Sequence, residues 1–211
     1  MIKNLRPLRH LAVALALLGL AGCSSLLTSA PRPLYRLTAP SDFPPSPRHI
    51  SAQLTIAVPY APAAIDTTRI ALSRNAVSLD YLADGEWTDR ASALVQTVLI
   101  EAFENSRVFN AVGPDSLDLR ADFVIQGDLR HFEAVYDSPA GTPTVWVAIA
   151  IKLVKVPEHK ILAETMITAR QPAAANATPD IVVAFNAAMA NAAKQVVDWT
   201  LANPNLSAPR R

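Results

Sequence analysis

From Val145 to Leu153 every second residue is a branched aliphatic: Val145, Val147, Ile149, Ile151 and Leu153, with Trp146, Ala148, Ala150 and Lys152 between them. Side chains of a strand alternate between its two faces, so this run predicts a long strand with one side against a core. Trp146 then falls on the side facing away from that core. Pro157-Glu158-His159-Lys160 is a short polar turn, and Ile161 to Ala169 follows as a second strand. Two such neighbours predict an antiparallel hairpin.

Other segments add strands. Leu54 to Val58 has period two and stops at Pro59; Arg69 to Leu72 and Ala76 to Tyr81 flank a turn at Ser73-Arg74-Asn75. Val108 to Val112 is a short strand ended by Gly113-Pro114. Asp122 to Tyr136 is a longer one with Phe123, Ile125 and Leu129 on one face, and Gly127 inside it predicts a bulge or a close backbone approach. Two segments change period. Ala91, Leu94, Val95, Val98, Leu99, Ala102 and Phe103 form one helical stripe within Thr88 to Ser106, with Thr88 or Asp89 placed to cap it. Thr178-Pro179-Asp180 reads as a cap, a first-turn proline and a first-turn acid. The stripe Val182, Phe185, Met189, Ala192, Val196 and Trp199 follows, ending near Pro204. The fold class is α+β: a mainly antiparallel sheet with two amphipathic helices packed on one face. It forms a single domain over 49–203, with a tail at 204–211.

The N-terminus has a different grammar. Lys3, Arg6 and Arg9 precede the apolar run Leu11 to Leu20, which is too short to span a bilayer. A basic start, a short apolar stretch and small residues read as a secretory signal over 1–22. Leu20-Ala21-Gly22-Cys23 resembles the bacterial lipobox, where the thiol receives a lipid and cleavage falls between Gly22 and Cys23. The plainer reading is a buried Cys in an uncleaved apolar segment, but it does not account for the ordered blocks around it. Cys23 is the single cysteine, so neither an internal disulfide nor a thiolate metal site can form. Acyl chains contribute about 0.8 kcal/mol per buried CH₂, so several on one Cys give a lasting membrane anchor. Ser24 rather than Asp after the Cys favours the outer membrane in lipoprotein sorting. Between 23 and 48 lie Pro31, Pro33, Pro40, Pro44, Pro45 and Pro47, a lipidated, Pro-rich tether with extended PPII character. Leu34-Tyr35-Arg36-Leu37 interrupts it and is expected to dock on the body, shortening its reach.

The chain carries 19 basic and 18 acidic residues, and removing 1–22 takes three basic and no acidic ones, leaving a charge of about −2. There is no basic excess to hold nucleic acid. Beyond Cys23 only Gly85, Gly113, Gly127 and Gly141 occur, too dispersed for a phosphate-binding loop, and no Gly-x-Ser-x-Gly elbow exists. His131 and Glu133 share a strand face and could offer two metal ligands, but a polar pair on the outer face is the simpler reading. Asp115, Asp118 and Asp122 lack calcium-loop spacing. Asn176-Ala177-Thr178 is a formal glycosylation sequon whose Thr is better placed as a helix cap. No cofactor, metal or catalytic residue is expected, and the chain reads as a non-enzyme. Trp87 and Trp199 read as structural, leaving Trp146 as the candidate partner-binding residue.

Several short blocks, taken in order, resemble the ABC-type transport auxiliary lipoproteins, the group that includes the PqiC lipoprotein. They are Tyr35-Arg36-Leu37, Ile56-Ala57-Val58-Pro59, Ile65 to Ile70, Leu79-Asp80-Tyr81 and Glu86-Trp87-Thr88-Asp89-Arg90. Leu94-Val95-Gln96, Glu101-Ala102-Phe103-Glu104, and Asp122 to Leu129 with Phe132 continue the match across about residues 34 to 202. The resemblance implies a small α+β lipoprotein without an ATPase of its own. Its implied partners are an MCE-domain protein and an ABC permease and ATPase complex that move lipid across the periplasm. The symmetric rings on which such complexes are built make a homo-oligomer an expectation. The only functional residue it carries over is the lipidated Cys23. A free-standing periplasmic lipid-binding lipoprotein is the alternative and would need an enclosed apolar cavity; a lipoprotein hydrolase would need a nucleophile and base in one cleft.

Overall fold

The computed structural model describes residues 31–46, 49–117, 120–138, 141–156 and 158–206. Gly22 and Cys23 lie outside the described residues. The chain divides into Met1–Arg32 and Pro33–Arg211, and the architecture below is that of the second unit.

Eight strands and two helices follow in the order β1 (Leu34–Tyr35), β2 (Ile50–Ile56), β3 (Arg69–Asn75), β4 (Ser78–Trp87), α1 (Ala91–Ser106), β5 (Phe109–Pro114), β6 (Phe123–Val135), β7 (Thr144–Lys155), β8 (Lys160–Pro172) and α2 (Thr178–Leu201). A 3₁₀ turn, Asp115–Leu117, lies between β5 and β6. The spine is β6. Along one edge it pairs antiparallel with β7, which pairs antiparallel with β8, as the alternating runs predict. Its other edge is shared: β2 pairs in parallel with its beginning, Leu54–Ile56 against Phe123–Ile125, and β3 in parallel with its end at Ala134 and Val135. Beyond β2 lies β5, and beyond β3 lie β4 and then β1.

The sheet is therefore mixed, not mainly antiparallel: β1–β4, β2–β5, β2–β6 and β3–β6 are parallel. Parallel neighbours require the chain to travel back along the sheet between them. That return is made by the long connection between β2 and β3 and by the connection between β5 and β6, whereas α1 joins β4 to β5, which run in opposite directions. Turns between adjacent runs announce hairpins; crossovers leave no comparable local mark.

Gly127 sits where the two halves of the shared edge part. Tyr60 bridges to Asp128 there, its N–H donating to the Gly127 carbonyl at 2.9 Å, while Leu129 N–H donates to the Tyr60 carbonyl at 2.7 Å. A Cβ on Gly127 would lie 3.1 Å from Ile149 Cδ1 and 3.2 Å from Pro59 Cβ. Of the two readings of this glycine, close backbone approach is the one realised. The β6 bulge falls later, between Leu129 and His131.

Both helices cover one face of the sheet. Val145, Val147, Ile149, Ile151 and Leu153 are all fully buried beneath them, and both predicted helical stripes face inward, with Trp199 half-buried at the end of the second. Trp87, Phe132 and Phe185 form an aromatic cluster with ring centroids 5.0–5.8 Å apart. Trp87 is thus structural, as its position suggests.

Three local expectations are corrected. Neither Thr88 nor Asp89 caps α1. Arg90 occupies the cap position without a side-chain bond, and Asp66 from the β2–β3 connection accepts hydrogen bonds from Ser92 N (3.2 Å) and Ser92 Oγ (2.6 Å). Asp66→Ala is expected to cost about 1 kcal/mol, the usual value of an N-terminal helix cap, read as a lower Tm with cooperativity retained. Thr178 is the first residue of α2 rather than its cap, which is Ala177, although Pro179 and Asp180 lie in the first turn as expected. The β3–β4 turn is not at Ser73–Asn75. The strand runs on through Asn75, whose Oδ1 accepts from Val77 N (3.0 Å) and Ser78 N (2.9 Å), closing a tip at Ala76 and Val77.

Part of the Pro-rich segment lies on the body. Leu34 and Tyr35 pair with β4, Thr38 N–H donates to Asn186 Oδ1 (2.8 Å), Asn105 Nδ2 donates to the Pro40 carbonyl (2.9 Å), and Phe43 packs against the core. Lys194 Nζ donates to Asp42 Oδ2 at 2.7 Å and holds that carboxyl below its ordinary range.

Candidate functional site

The face of the sheet opposite the helices carries the only candidate among the described residues that combines a stacked tryptophan, a buried carboxylate and a cleft. Strand register sets its rungs. Across β6, β7 and β8 the opposed residues are Glu133–Trp146–Arg170, His131–Ala148–Thr168, Asp128–Ala150–Met166 and Gln126–Lys152–Glu164.

The bulge creates this arrangement. Before it, odd-numbered residues of β6 (Phe123, Ile125, Leu129) face the helices; after it, even-numbered Phe132 and Ala134 do. The extra residue shifts the side-chain alternation by one position, which moves His131, Glu133 and Val135 to the open face beside Trp146. His131 Nδ1–H donates to Glu133 Oε1 at 2.8 Å, and the backbone N–H of Phe132 donates to Glu133 Oε2 at 2.7 Å. With only 8% of its side chain exposed, Glu133 is satisfied by those two donors.

Trp146 lies over this pair. Its ring is stacked on His131, centroids 3.4 Å apart and planes 11° from parallel. The Arg170 guanidinium carbon sits 4.1 Å from the Trp146 ring centre. Two groups that close to one ring must occupy opposite faces, so the order is Arg170, Trp146, His131, with Glu133 holding the last. Trp146 Nε1 is shielded from solvent and has no hydrogen-bond partner. A cleft of ≈ 630 Å³ opens between this stack and the β3–β4 tip, lined by Val77, Leu79, Val135 and Trp146 among others. Val77 is 95% exposed at the tip. Tyr136, also on the cleft wall, has its phenol pushed above the ordinary value by burial and partly opposed by Arg74; its OH donates to Asn176 Oδ1 at 2.7 Å.

Trp146 therefore lies on the helix-free face, as its alternation predicts. His131 and Glu133 come together with each other, but no group of three or more His, Cys, Asp or Glu forms among the described residues. His49 bonds instead to Asn110, and His159 lies in the β7–β8 turn. Asp122 accepts from Gln53 N–H, Asp115 begins the 3₁₀ turn, and Asp118 lies outside the described residues. Asn176 of the sequon is bonded to Tyr136. His131 is oriented by a carboxylate, yet no hydrogen bond joins it to a Ser, Thr or Cys among the described residues. Arg170 is the site residue that sequence reading misses. Its place beside Trp146 depends on the β7–β8 register, which shifts at a bulge between Leu153 and Val154.

Comparison with known proteins agrees with this architecture. The family model described as the ABC-type transport auxiliary lipoprotein component matches residues 35–197. An uncharacterized protein of Bradyrhizobium diazoefficiens is 30% identical over 173 residues, covering 79% of this chain; the chain spans 44% of that relative's length. A crystal structure of a DUF330-family protein from Xanthomonas campestris aligns with TM-score 0.72 and 26% identity, over 80% of this chain and 94% of that one. The crystal structure of another uncharacterized protein shares the fold with TM-score 0.64 at 10% identity, over 81% and 99% of the two chains. The chain belongs to the ABC-type transport auxiliary lipoprotein component family.

Proposed function

We propose that this protein is a non-catalytic, lipid-anchored subunit of an MCE-type ABC transport system. It would sit at the periplasmic face of the outer membrane and dock or steady the lipid conduit. The observation that carries the reading is the family match, which spans nearly all of the folded body. The helix-free sheet face supports it: a two-layer fold that leaves Trp146 on an uncovered face beside a cleft has a contact surface already built. The body then works by binding, with the MCE-domain protein as the docked partner and a homo-oligomer as the assembled form.

Cys23 supplies the anchor in this reading, acylated after cleavage at Gly22. Because Leu34 and Tyr35 are already paired with β4, the tether runs from Cys23 to about Pro33. A PPII chain of that length would reach at most roughly 30 Å at about 3.1 Å per residue, far less than the whole Pro-rich segment would.

The test is crosslinking in intact membranes with mass spectrometry of the captured chains, paired with an outer-membrane permeability assay in a deletion strain. Capture of MCE or permease components together with a permeability defect is expected. Lipid hydrolysis by the purified protein without such capture would overturn the reading. Trp146→Ala is expected to reduce capture while leaving a cooperative melt, because Trp146 stands outside the core beneath the helices.

A further inference from the structure

Two cations of this face have an acid as neighbour. Arg130 Nη2 is 2.7 Å from Asp128 Oδ2, and Lys152 stands opposite Glu164 in the β7–β8 register. Glu133 is taken by His131 and the Phe132 N–H. Arg170 differs. It is exposed, its guanidinium is held over Trp146, and no carboxylate among the described residues lies within ion-pair distance of it. The carboxylate opposite its rung, Glu133, is turned inward on the far side of the tryptophan.

An arginine held against an aromatic ring has lost much of its rotational freedom, yet its N–H groups remain able to donate. Such a group pays less entropy when it grips a planar carboxylate with two parallel hydrogen bonds. Trp146, against which it is held, also lines the cleft, which offers Val77, Leu79 and Val135 for an apolar side chain. The acids on the cleft wall are Glu133, which is satisfied, and Asp137, which is exposed beyond the end of β6. A partner anion is therefore drawn to Arg170, next to Trp146 of the cleft wall.

We infer that Arg170, held by the Trp146–His131–Glu133 stack, is a carboxylate receptor for a protein partner, taking an Asp or Glu whose apolar neighbour enters the cleft beneath the β3–β4 tip. The inference rests on the docking reading above and deepens it by naming the partner's chemistry: an acidic–apolar segment. Charge complementarity selects this occupant, since Arg170 has no ion-pair partner among the described residues and is held against Trp146, which itself lines an apolar cleft. A phospholipid would satisfy the charge, but the open cleft does not enclose acyl chains.

The experiment places the photo-crosslinking residue p-benzoylphenylalanine at Val77 in the full-length protein, in cells. Crosslinked peptides are sequenced by mass spectrometry with Arg170 intact and in Arg170→Glu and Arg170→Lys backgrounds, with melting temperatures measured for each. The expected result is a captured segment with an Asp or Glu close to the attachment point. Arg170→Glu lowers its yield by at least about tenfold, the value of one charge-assisted hydrogen bond, and Arg170→Lys, which keeps the charge but loses the fork, falls between. Three outcomes overturn the inference: a captured segment without a nearby acid, a yield indifferent to Arg170→Glu at unchanged Tm, or adducts to lipid alone. Capture of a transport component independent of Arg170 sinks this inference and leaves the docking reading intact. Arg170-dependent capture of an acidic segment from a protein outside any ABC system does the reverse.

Discussion

Val98→Asp is expected to leave no folded body. Val98 lies in the middle of the α1 stripe with 1% of its surface exposed, between Val95 before it and Leu99 and Ala102 after it, all buried. Ala91–Ser106 contains no Lys, Arg or His, so the helix has no cation of its own to pair with the new carboxylate. An unpaired carboxylate in such a place costs several kcal/mol beyond the lost apolar contact. A domain of this size is stable by only about 5–15 kcal/mol. Far-UV circular dichroism and a thermal melt check it: the variant should lack a cooperative transition, whereas Val98→Ala, which removes two methyl groups, should fold with a loss of about 2 kcal/mol. A Val98→Asp protein melting within a few degrees of wild type would show that α1 is not seated on the sheet as described.

Cys23→Ala has an effect as large, on location rather than on folding. In the proposed scheme the thiol is the sole attachment point for lipid, and acylation precedes removal of 1–22. The substituted chain is expected to keep those residues, gain no acyl mass and disappear from the outer-membrane fraction. Intact-mass measurement of membrane-extracted protein, alongside fractionation, reads all three. The wild-type chain should show loss of 1–22 and a gain of acyl mass at Cys23; an unmodified mature Cys23 would overturn the anchor. Folding should not depend on it. The first described pairing of the body begins at Leu34, and the described core residues run from Leu37 to Leu206. A chain beginning at Arg32 is accordingly expected to be soluble and to melt cooperatively.

Where burial follows a local period, the sequence alone was sufficient. The alternation through Val145–Leu153, the stripes of both helices and the β7–β8 hairpin are each set by neighbours a few residues apart, and each lies where the local pattern puts it. The docking of Leu34-Tyr35-Arg36-Leu37 is legible for a related reason, since large side chains inside a Pro-rich run seek cover: Leu37 is buried and Tyr35 packs against the core, although Leu34 stays 65% exposed. The outward position of Trp146 follows from the same parity argument. The ordered blocks that place the chain in its family were also readable before any geometry.

What only the tertiary structure decided involves residues distant in sequence. The parallel pairings depend on which edge of β6 each returning strand finds, and a single long strand can serve two short ones only in three dimensions. The cap of α1 comes from Asp66, well upstream, so the local candidates Thr88 and Asp89 were the wrong place to look. The site itself hangs on two bulges. One in β6 turns His131 and Glu133 to the open face, and one in the β7–β8 pairing fixes the register that sets Arg170 against Trp146. A bulge reverses the side-chain pattern of everything beyond it, and whether a strand takes one is settled by the partner it must match.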